Sequence, residues 1–379
     1  MIEELKRPPL MFDIAAWPNR LHREDREEAR RSTGTRPDRE DAVRVSIRWM
    51  AAIFGLLAML GTAPALARVE KISVHGRSLE GNLEGNSADR TVYVLLPPSY
   101  DKARAHRYPV VYFLHGYQTT ADQIMGWGPM EKRYEAAIAA TGREFIVVVP
   151  DSFTKNSGSM YSDSVTVGNF ETFTTHDLVA YIDGHYRTIA KRESRGLAGH
   201  SMGGYGTFRL GMKHPDVYSV LYAMDPCCLS PRGVSAEEAS KFEGLTPEQV
   251  AKGDFAVRGN YAVAAAWSPN PNKPPFFVDL ATNNGKIDPL VVAKWAANAP
   301  IALVAQYVPA LRSMVAIGLD TGDKDFVRGD DEAMHAELQR FHIPHDWELF
   351  EGDHGNRFPE RLEKITFPFF AKHLVFQAK

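Results

Sequence analysis

The chain has 379 residues, of which 44% are hydrophobic, and a formal net charge of −3. This size and composition are typical of a globular protein with one large domain or two small ones. The near-neutral charge lacks the excess of basic residues that is typical of nucleic-acid-binding proteins. Because its two cysteines, Cys227 and Cys228, are adjacent, they exclude a disulfide framework and a cysteine-built metal site.

The first 42 residues differ in composition from the rest. More than half of residues 20–41 are charged, with both signs mixed and no apolar period. Such a segment cannot bury enough apolar surface to offset the entropy lost on ordering. We expect residues 1–42 to be disordered, or to be an over-extended start with translation beginning near Val43, Val45 or Met50.

Residues 43–67 have the layout of a signal peptide. Two arginines precede the apolar run 51–60, and residues 65–67 are Ala-Leu-Ala, a small-x-small cleavage site. The apolar run is short for a bilayer span. We therefore predict export to the periplasm or outside the cell, with no stable membrane span after cleavage. The alternative is a disordered tail before a membrane-anchoring helix.

Residues 68–379 alternate between strand and helix patterns. Strands are predicted at 90–98, 108–116, 144–151, 195–201, 218–226, 313–320 and 345–352. Helices are predicted at 129–142, 173–188, 202–215, 329–342 and 361–376. This order favours one α/β domain with a mostly parallel central sheet and helices on both faces. The irregular, partly proline-rich stretch 231–310 is expected to be a lid-like excursion or a pocket wall.

A serine lies between glycines where a predicted strand turns into a predicted helix. The stretch is Gly199-His200-Ser201-Met202-Gly203. Glycines remove the Cβ atoms that would clash in such a tight turn, and the serine hydroxyl then projects at the end of the sheet above a helix N-terminus. We therefore predict that Ser201 is a catalytic nucleophile. The alternative is a glycine-rich turn with a solvated serine.

Candidate partners for the serine follow in the order Ser, acid, His that α/β-hydrolases use. Asp320, Asp323 and Asp325 occupy one turn after a predicted strand, and His354 follows the last strand. An imidazole there suits a general base, and a carboxylate would fix its tautomer. The residues alone leave the choice among the three aspartates open.

An oxyanion hole needs two backbone N–H groups. One is expected from Met202, the residue after the nucleophile. The other is expected from Tyr117, in the loop "FLHGYQTT" after an early strand, where His115 and Gly116 shape the turn.

With these features the chain resembles the putative-esterase (esterase D-like) family of α/β-hydrolases, which includes feruloyl and acetyl-xylan esterases, S-formylglutathione hydrolases and mycolyltransferases. The matching stretches are "VYVLLPPSYD", "YPVVYFLHG", "VVVPDS", "YIDGHYRT", "LAGHSMGGYGTFRLGMKHPDVY", "GDKDF" and "GDH". The resemblance implies an α/β-hydrolase fold with Ser201 as nucleophile, His354 as base and Asp325, the fourth residue of Gly-x-x-Asp, as acid. The stretch 231–310 is longer than the family connection, so the substrate pocket cannot be carried over.

The cysteine pair has no role that the resemblance supplies. Adjacent Cα atoms lie about 3.8 Å apart across a trans peptide, below the usual range for a disulfide. A bridge would therefore be strained, and we expect two free thiols.

Several aromatic residues are candidates for lining an apolar acyl or aryl pocket. They are Trp127, Tyr161, Tyr205 and Trp267, with Tyr117 and Phe170 beside them. The interpretation we favour is a secreted or periplasmic serine carboxylic-ester hydrolase. It would act through an acyl-enzyme, without metal or cofactor, on a small-molecule or carbohydrate-linked ester.

Two other functions stay open. An acyltransferase of the mycolyltransferase type would use the same acyl-enzyme with a sugar hydroxyl as acceptor. A non-catalytic binding protein of the same fold is the other alternative, against which the Ser–Asp–His order speaks. The oligomeric state is not predicted.

Overall fold

The computed structural model describes residues 66–377. Its main feature is an eight-stranded sheet. The strands are β1 (Arg68–His75), β2 (Asp89–Leu96), β3 (Val110–Leu114), β4 (Ile146–Pro150), β5 (Arg195–His200), β6 (Val220–Met224), β7 (Ala316–Gly322) and β8 (Asp346–Phe350).

The strand order in the sheet is β1-β2-β4-β3-β5-β6-β7-β8. Strand β2 is antiparallel to β1 and β4, whereas every pair from β4 to β8 is parallel. The predicted mostly parallel sheet is confirmed, and it is the sheet of an α/β-hydrolase. Strand β1 is an addition that the sequence analysis did not predict.

Helices cover both faces of the sheet, which is why the central strands β3 to β6 are buried along their whole length. In β3, Tyr112 and Leu114 belong to one buried cluster, and the alternate residues Val111 and Phe113 belong to another. Successive side chains of a strand point to opposite faces. The two clusters are therefore the cores on the two sides of the sheet, as expected for parallel strands.

The helices connect and flank these strands. In chain order they are α1 (Ala121–Gly126), α2 (Met130–Thr141), α3 (Phe170–Thr172, the π-helical turn Phe173–Asp177 and Leu178–His185), α4 (Met202–Lys213), α5 (Ala236–Ser240), α6 (Pro247–Ala251), α7 (Phe255–Trp267), α8 (Pro289–Ala297), α9 (Pro300–Val304), α10 (Val308–Arg312), α11 (Arg328–Arg340) and α12 (Phe358–Arg361, the π-helical turn Leu362–Thr366 and Phe367–His373). Short 3₁₀ turns lie at Arg77–Leu79 and Arg192–Ser194, and two-stranded ribbons pair Asp163–Ser164 with Gly168–Asn169 and Thr282–Asn283 with Lys286–Ile287.

The excursion 231–310 is built mainly of helices α5 to α9, of which α7 has 13 residues and the others have nine or fewer. Tyr261, Ala264 and Val304 from this stretch are buried in the same cluster as the core on one face of the sheet. The stretch therefore packs into the main domain. Its use as a lid stays a prediction.

Some sequence expectations fall outside the described residues. These are the segment 1–42 and the predicted signal peptide 43–67, apart from its last two residues. Within 66–377, no helix combines the length and apolar character needed to cross a bilayer.

The parallel arrangement determines where chemistry can be assembled. Strands β3, β5, β7 and β8 all end at the same edge of the sheet because they run in the same direction. Their following loops begin at His115, Ser201, Asp323 and Glu351. In open α/β sheets, ligands bind outside the carboxyl ends of the strands.

Candidate active site

Ser201 occupies the sharp turn between β5 and α4. Its backbone has φ 58° and ψ −117°, a region that side-chain-bearing residues rarely adopt. Three hydrogen bonds hold the turn. The Ser201 N–H donates to the Met224 carbonyl (3.0 Å), and the Ser201 carbonyl accepts from the N–H groups of Tyr205 (3.0 Å) and Cys227 (3.1 Å). The strained backbone is thus fixed by its neighbours.

The glycines of the turn are required by close backbone contacts. A Cβ on Gly199 would lie 2.3 Å from the carbonyl carbon and oxygen of Gly203. A Cβ on Gly203 would lie 2.0 Å from the carbonyl oxygen of Leu114, at the end of β3. Both distances are far below a permitted contact, so only glycine fits and the turn stays tight.

The structure brings the three predicted catalytic side chains together. The Ser201 Oγ lies 2.9 Å from His354 Nε2, and His354 Nδ1 lies 2.8 Å and 3.0 Å from the two oxygens of Asp325. With Nδ1–H donating to the carboxylate, Nε2 is the ring nitrogen that accepts the serine proton. Ser201 and Asp325 are 8% and 7% exposed. The arrangement can activate the serine hydroxyl as a nucleophile.

Asp325 is held as a carboxylate. Burial opposes its ionisation, but hydrogen bonds from His354 and from the Val327 N–H (3.0 Å) outweigh burial, and the pKa of Asp325 lies below its usual range. The turn that presents it closes through the Asp325 N–H, which donates to the Gly322 carbonyl. The ionised form of Asp325 is therefore favoured, and its negative charge can stabilise the His354 ring when that ring becomes positively charged.

The other two candidate aspartates have different partners. Asp320 is fully buried within β7, where it pairs with the Arg361 guanidinium at 2.6 Å and accepts a hydrogen bond from the Tyr222 hydroxyl at 2.8 Å. Asp323 accepts a hydrogen bond from the Gly352 N–H at 2.9 Å, in the loop that leads to His354. Neither contact places a carboxylate on the His354 ring.

Sequence reasoning missed a further buried acid, Asp225, at the end of β6. It is 2% exposed, and its Oδ1 accepts a hydrogen bond from the Gly322 N–H at 2.9 Å. Burial, together with the nearby Asp320 and Asp325 carboxylates, raises the pKa of Asp225 well above its usual range. Its surroundings therefore favour the protonated form of Asp225 beside the Asp325 turn. Its position at the end of a predicted strand, in "YAMDP", was the available signal.

His200 supports the loop that carries His354. Its Nε2 donates to the His354 backbone carbonyl at 2.7 Å, and its ring packs edge-on against Trp127 and Phe358. Burial, and then the neighbouring His354, lower the pKa of His200 to about 3. His200 is thus a neutral hydrogen-bond donor, and the residue before the nucleophile fixes the base loop.

Trp127 and Trp267 are both half-buried. The Trp127 ring stacks on Phe358 with centroids 4.7 Å apart, and a Cβ on Gly355 would approach it to 2.6 Å. Trp127 therefore packs against the base loop. The Trp267 Nε1 donates to the Ser162 hydroxyl at 3.2 Å. Lining of a pocket by either ring stays a prediction.

Tyr161 and Tyr205 are core residues, contrary to the expectation that they line an open pocket. Both are 0% exposed, and their hydroxyls donate to the backbone carbonyls of His115 (2.8 Å) and Asn298 (3.0 Å). Phe170 is equally buried. Large aromatic rings fill the space between helices and sheet, and the sequence does not separate that use from pocket lining.

The loop after β3 lies directly against the nucleophile. A Cβ on Gly116 would be 3.3 Å from the Ser201 Cβ, so the next residue, Tyr117, belongs to the chain segment beside Ser201. Met202 is the first residue of α4, where N–H groups have no partner within the helix and the helix dipole favours negative charge. The segment that carries Tyr117 and the first turn of α4 thus flank Ser201, as an oxyanion hole would require.

The Tyr117 side chain fixes this loop. Its hydroxyl donates to the Asn156 carbonyl at 2.9 Å, and its ring packs at 5.3 Å, centroid to centroid, against Phe255 of the excursion. Beneath it, His115 is buried, which lowers its pKa, and its Nε2 accepts from the Ser152 N–H at 2.7 Å. A neutral His115 therefore anchors the loop start.

Comparison with known families gives a match over most of the described domain. The profile of the family described as "Putative esterase" matches residues 86–357, a range that includes all three members of the hydrogen-bonded triad.

Curated relatives match shorter parts of the chain. An esterase of Mycobacterium tuberculosis is 33% identical over 131 residues, which are 32% of this chain and 26% of that protein. An endo-1,4-beta-xylanase/feruloyl esterase of Xylanibacter ruminicola is 26% identical over 163 residues, which are 42% of this chain and 22% of that protein. The matched part of the chain thus spans about a quarter of the length of these relatives.

Solved structures share the fold at low sequence identity. A ferulic acid esterase superposes with a TM-score of 0.60 at 21% identity, covering 82% of this chain and 100% of its own. An S-formylglutathione hydrolase of Agrobacterium tumefaciens gives 0.56 at 17% identity, covering 83% of this chain and 98% of its own. Both likenesses concern the fold.

Proposed function

The chain belongs to the family described as "Putative esterase", and from this premise we propose that it is a serine carboxylic-ester hydrolase with Ser201 as its nucleophile. The observation that carries the proposal is the 2.9 Å contact between Ser201 Oγ and His354 Nε2, with Asp325 on the opposite ring nitrogen. A serine with a base in reach and an anion orienting that base is the arrangement for acyl transfer.

In the acylation step, His354 removes the Ser201 proton as Oγ attacks the ester carbonyl carbon. The carbonyl oxygen becomes an oxyanion, which the N–H groups of Tyr117 and Met202 stabilise. When the tetrahedral intermediate collapses, the carbon–oxygen bond to the alcohol breaks. His354 then gives its proton to the departing alcohol, and the acyl group stays on Ser201.

Deacylation repeats the sequence with water as nucleophile. His354 removes a proton from water, the resulting hydroxide attacks the acyl carbon, and the proton returns to Ser201 Oγ as the acid leaves. In both steps His354 becomes positively charged, and the buried Asp325 carboxylate stabilises that charge. No cofactor takes part in this scheme.

The substrate class we propose is a small-molecule or carbohydrate-linked carboxylic ester. Support comes from a relative and a structural neighbour whose names specify feruloyl and ferulic acid esterases, which act on aryl acyl groups bound through an ester. Transfer of the acyl group to a sugar hydroxyl would use the same acyl-enzyme, so the products separate the two reactions. A purely binding role fits poorly with a hydrogen-bonded triad.

The proposal is tested with a panel of acyl and aryl esters, including p-nitrophenyl acetate and methyl ferulate. The full chain is expected to hydrolyse at least one of them, and Ser201→Ala serves as the matched control. Carboxylic acid as the sole acyl product with a sugar acceptor present supports hydrolysis, and a sugar ester supports transfer. Absence of turnover across the panel would contradict the proposal.

We also propose that the protein is exported. The arginines, apolar run and Ala-Leu-Ala site of residues 43–67 support this localisation.

A further inference from the structure

The adjacent cysteines lie in a turn directly behind the nucleophile. The turn starts at Asp225 after β6, and the Cys227 N–H donates to the Ser201 carbonyl at 3.1 Å. The preceding Pro226 is so close to α4 that a Cβ on Gly204 would meet its Cβ at 2.7 Å. A change in the backbone conformation of Cys227 is therefore expected to alter the position of the Ser201 backbone.

The two thiols form a close pair with unequal exposure. Their Sγ atoms are 2.7 Å apart, and both cysteines are free. Cys227 is buried, whereas Cys228 is half-buried, and Cys228 has φ 62°. The two sulfurs are thus within reach of each other, and Cys228 is the less buried of the two residues.

The charge distribution favours the less buried cysteine, Cys228, as the nucleophile. The hydrogen bond between the two sulfurs and the nearby Arg232 guanidinium hold the pKa of Cys228 below its usual range. The same hydrogen bond, together with burial, raises the pKa of Cys227. Thiolate is the reactive form in thiol–disulfide exchange.

We propose that Cys227 and Cys228 are a reversible redox site, which closes to a vicinal disulfide by exchange with a small-molecule disulfide and thereby slows the enzyme. The Cys228 thiolate attacks one sulfur of the small disulfide and releases one thiolate. Cys227, losing its proton, then attacks the Cys228 sulfur of the mixed disulfide and releases the second. The protein loses two hydrogens and two electrons, and the small disulfide gains them as two thiols.

The closed form is expected to be readily reduced. Adjacent Cα atoms are about 3.8 Å apart, below the roughly 4.4–6.8 Å of ordinary disulfides. Strained disulfides have higher reduction potentials and are the labile, regulatory ones. The pair therefore suits a reversible site better than a permanent structural bridge.

Formation of the disulfide would affect the active site through the backbone. The turn has left-handed residues on both sides of Cys227, Asp225 at φ 42° and Cys228 at φ 62°, so it has little freedom to absorb a change. Closing the bridge changes the backbone angles at Cys227, whose N–H donates to the Ser201 carbonyl, and we expect this hydrogen bond to be disturbed. Small misplacements of a reacting group cost large factors in rate, and we expect a loss of about tenfold.

The test exposes the reduced full chain to oxidised glutathione and follows intact mass, alkylatable thiols and ester hydrolysis. We expect the mass to fall by two hydrogens, both thiols to become protected and activity to drop about tenfold. Dithiothreitol should restore all three readouts. Cys228→Ser should keep its activity in oxidised glutathione, and Cys227→Ser should stop at a single glutathione adduct on Cys228.

Other results would overturn the inference. Two alkylatable thiols after prolonged exposure, or a stable glutathione adduct on the unmodified chain, would exclude the vicinal disulfide. A bridge that forms with unchanged turnover would exclude the coupling to Ser201. The mass and thiol readouts do not depend on the proposed function, whereas the activity readout rests on it. A reduced chain without esterase activity would contradict the proposed function and would leave the test of the disulfide intact.

Discussion

The Nε2–H of His200 donates to the backbone carbonyl of His354 at 2.7 Å, so the residue before the nucleophile holds the loop of the base. This bond connects two parts of the site that lie 154 residues apart in the chain. It positions the His354 ring without touching the reacting atoms.

His200→Ala is expected to lower kcat by about tenfold to a hundredfold with little change in KM, because His354 loses the anchor that aims its ring. His200→Gln retains a side-chain N–H donor and should recover most of the rate. Steady-state kinetics on an activated ester checks both variants. Equal losses in the two, or a loss confined to KM, would show that the hydrogen bond does not position the base.

Asp325→Asn is expected to lower kcat by roughly 10³–10⁴-fold, because the imidazole loses the anion that orients it and stabilises its charged form. KM should change little. The matched control is Asp323→Asn, which keeps an oxygen to accept the Gly352 N–H and should be nearly silent. Near-normal turnover in Asp325→Asn would remove this residue from the triad.

Asp320→Asn tests the remaining aspartate through stability. Its carboxylate is fully buried against Arg361, and breaking a buried pair costs about 3–5 kcal/mol of unfolding free energy. The rate per folded molecule should stay close to that of the unmodified chain. Denaturant unfolding and active-site titration separate the two effects, and a stable but inactive Asp320→Asn would identify it as the catalytic acid.

Asp225→Asn should make stability less sensitive to rising pH. The folded-state pKa of Asp225 lies well above that of the unfolded chain, so the stability linked to its proton is complete below about pH 4 and is lost as pH rises toward the folded-state pKa. Asparagine resembles the neutral acid and has no proton to lose. The variant should therefore gain on the unmodified chain by up to about 1.4 kcal/mol per pH unit above pH 4.

Thermal unfolding of both proteins from pH 4 to pH 8 measures this difference directly. A constant offset across that range would mean that Asp225 is ionised in the folded state, and that its carboxylate is tolerated next to Asp325.

Export is expected to produce a mature N-terminus near Arg68. Signal peptidase cuts after small-x-small sites such as Ala-Leu-Ala at residues 65–67. N-terminal sequencing of the protein recovered from the periplasm or medium checks this. A mature start far from Arg68, or retention of residues 43–67 on a membrane-bound protein, would contradict the proposed signal peptide.

The sheet was largely predictable from sequence because most of its central strands are apolar runs that end at glycine, proline or aspartate. Strand β1 escaped prediction because, at the sheet edge, the exposed Lys71 and Ser73 alternate with the more buried Ile72 and Val74, so the strand lacks the apolar run of a buried strand. The excursion 231–310 was predicted as irregular because most of its helices have nine residues or fewer, and a segment rich in proline and asparagine, 268–275, interrupts them.

Within the site, the sequence located the residues that follow strand ends, since topology brings those ends together. It did not show the contacts that support them, such as His200 with His354 or Asp225 with Gly322, because nothing local marks a pairing across the chain. For Tyr161 and Tyr205, the sequence suggested pocket lining, but the structure places both side chains in the core. Aromatic rings suit pockets and cores alike, and only the folded arrangement shows that these two are core.

The central claim is that Ser201 carries the acyl group. The most direct measurement is mass spectrometry of the chain after reaction with a fluorophosphonate probe, alongside the hydrolysis rate of Ser201→Ala. We expect a single adduct on the peptide containing Ser201, and a variant that is folded, unlabelled and slower by several orders of magnitude. Labelling at another residue, or a Ser201→Ala variant with more than about a tenth of the normal rate, would contradict the account.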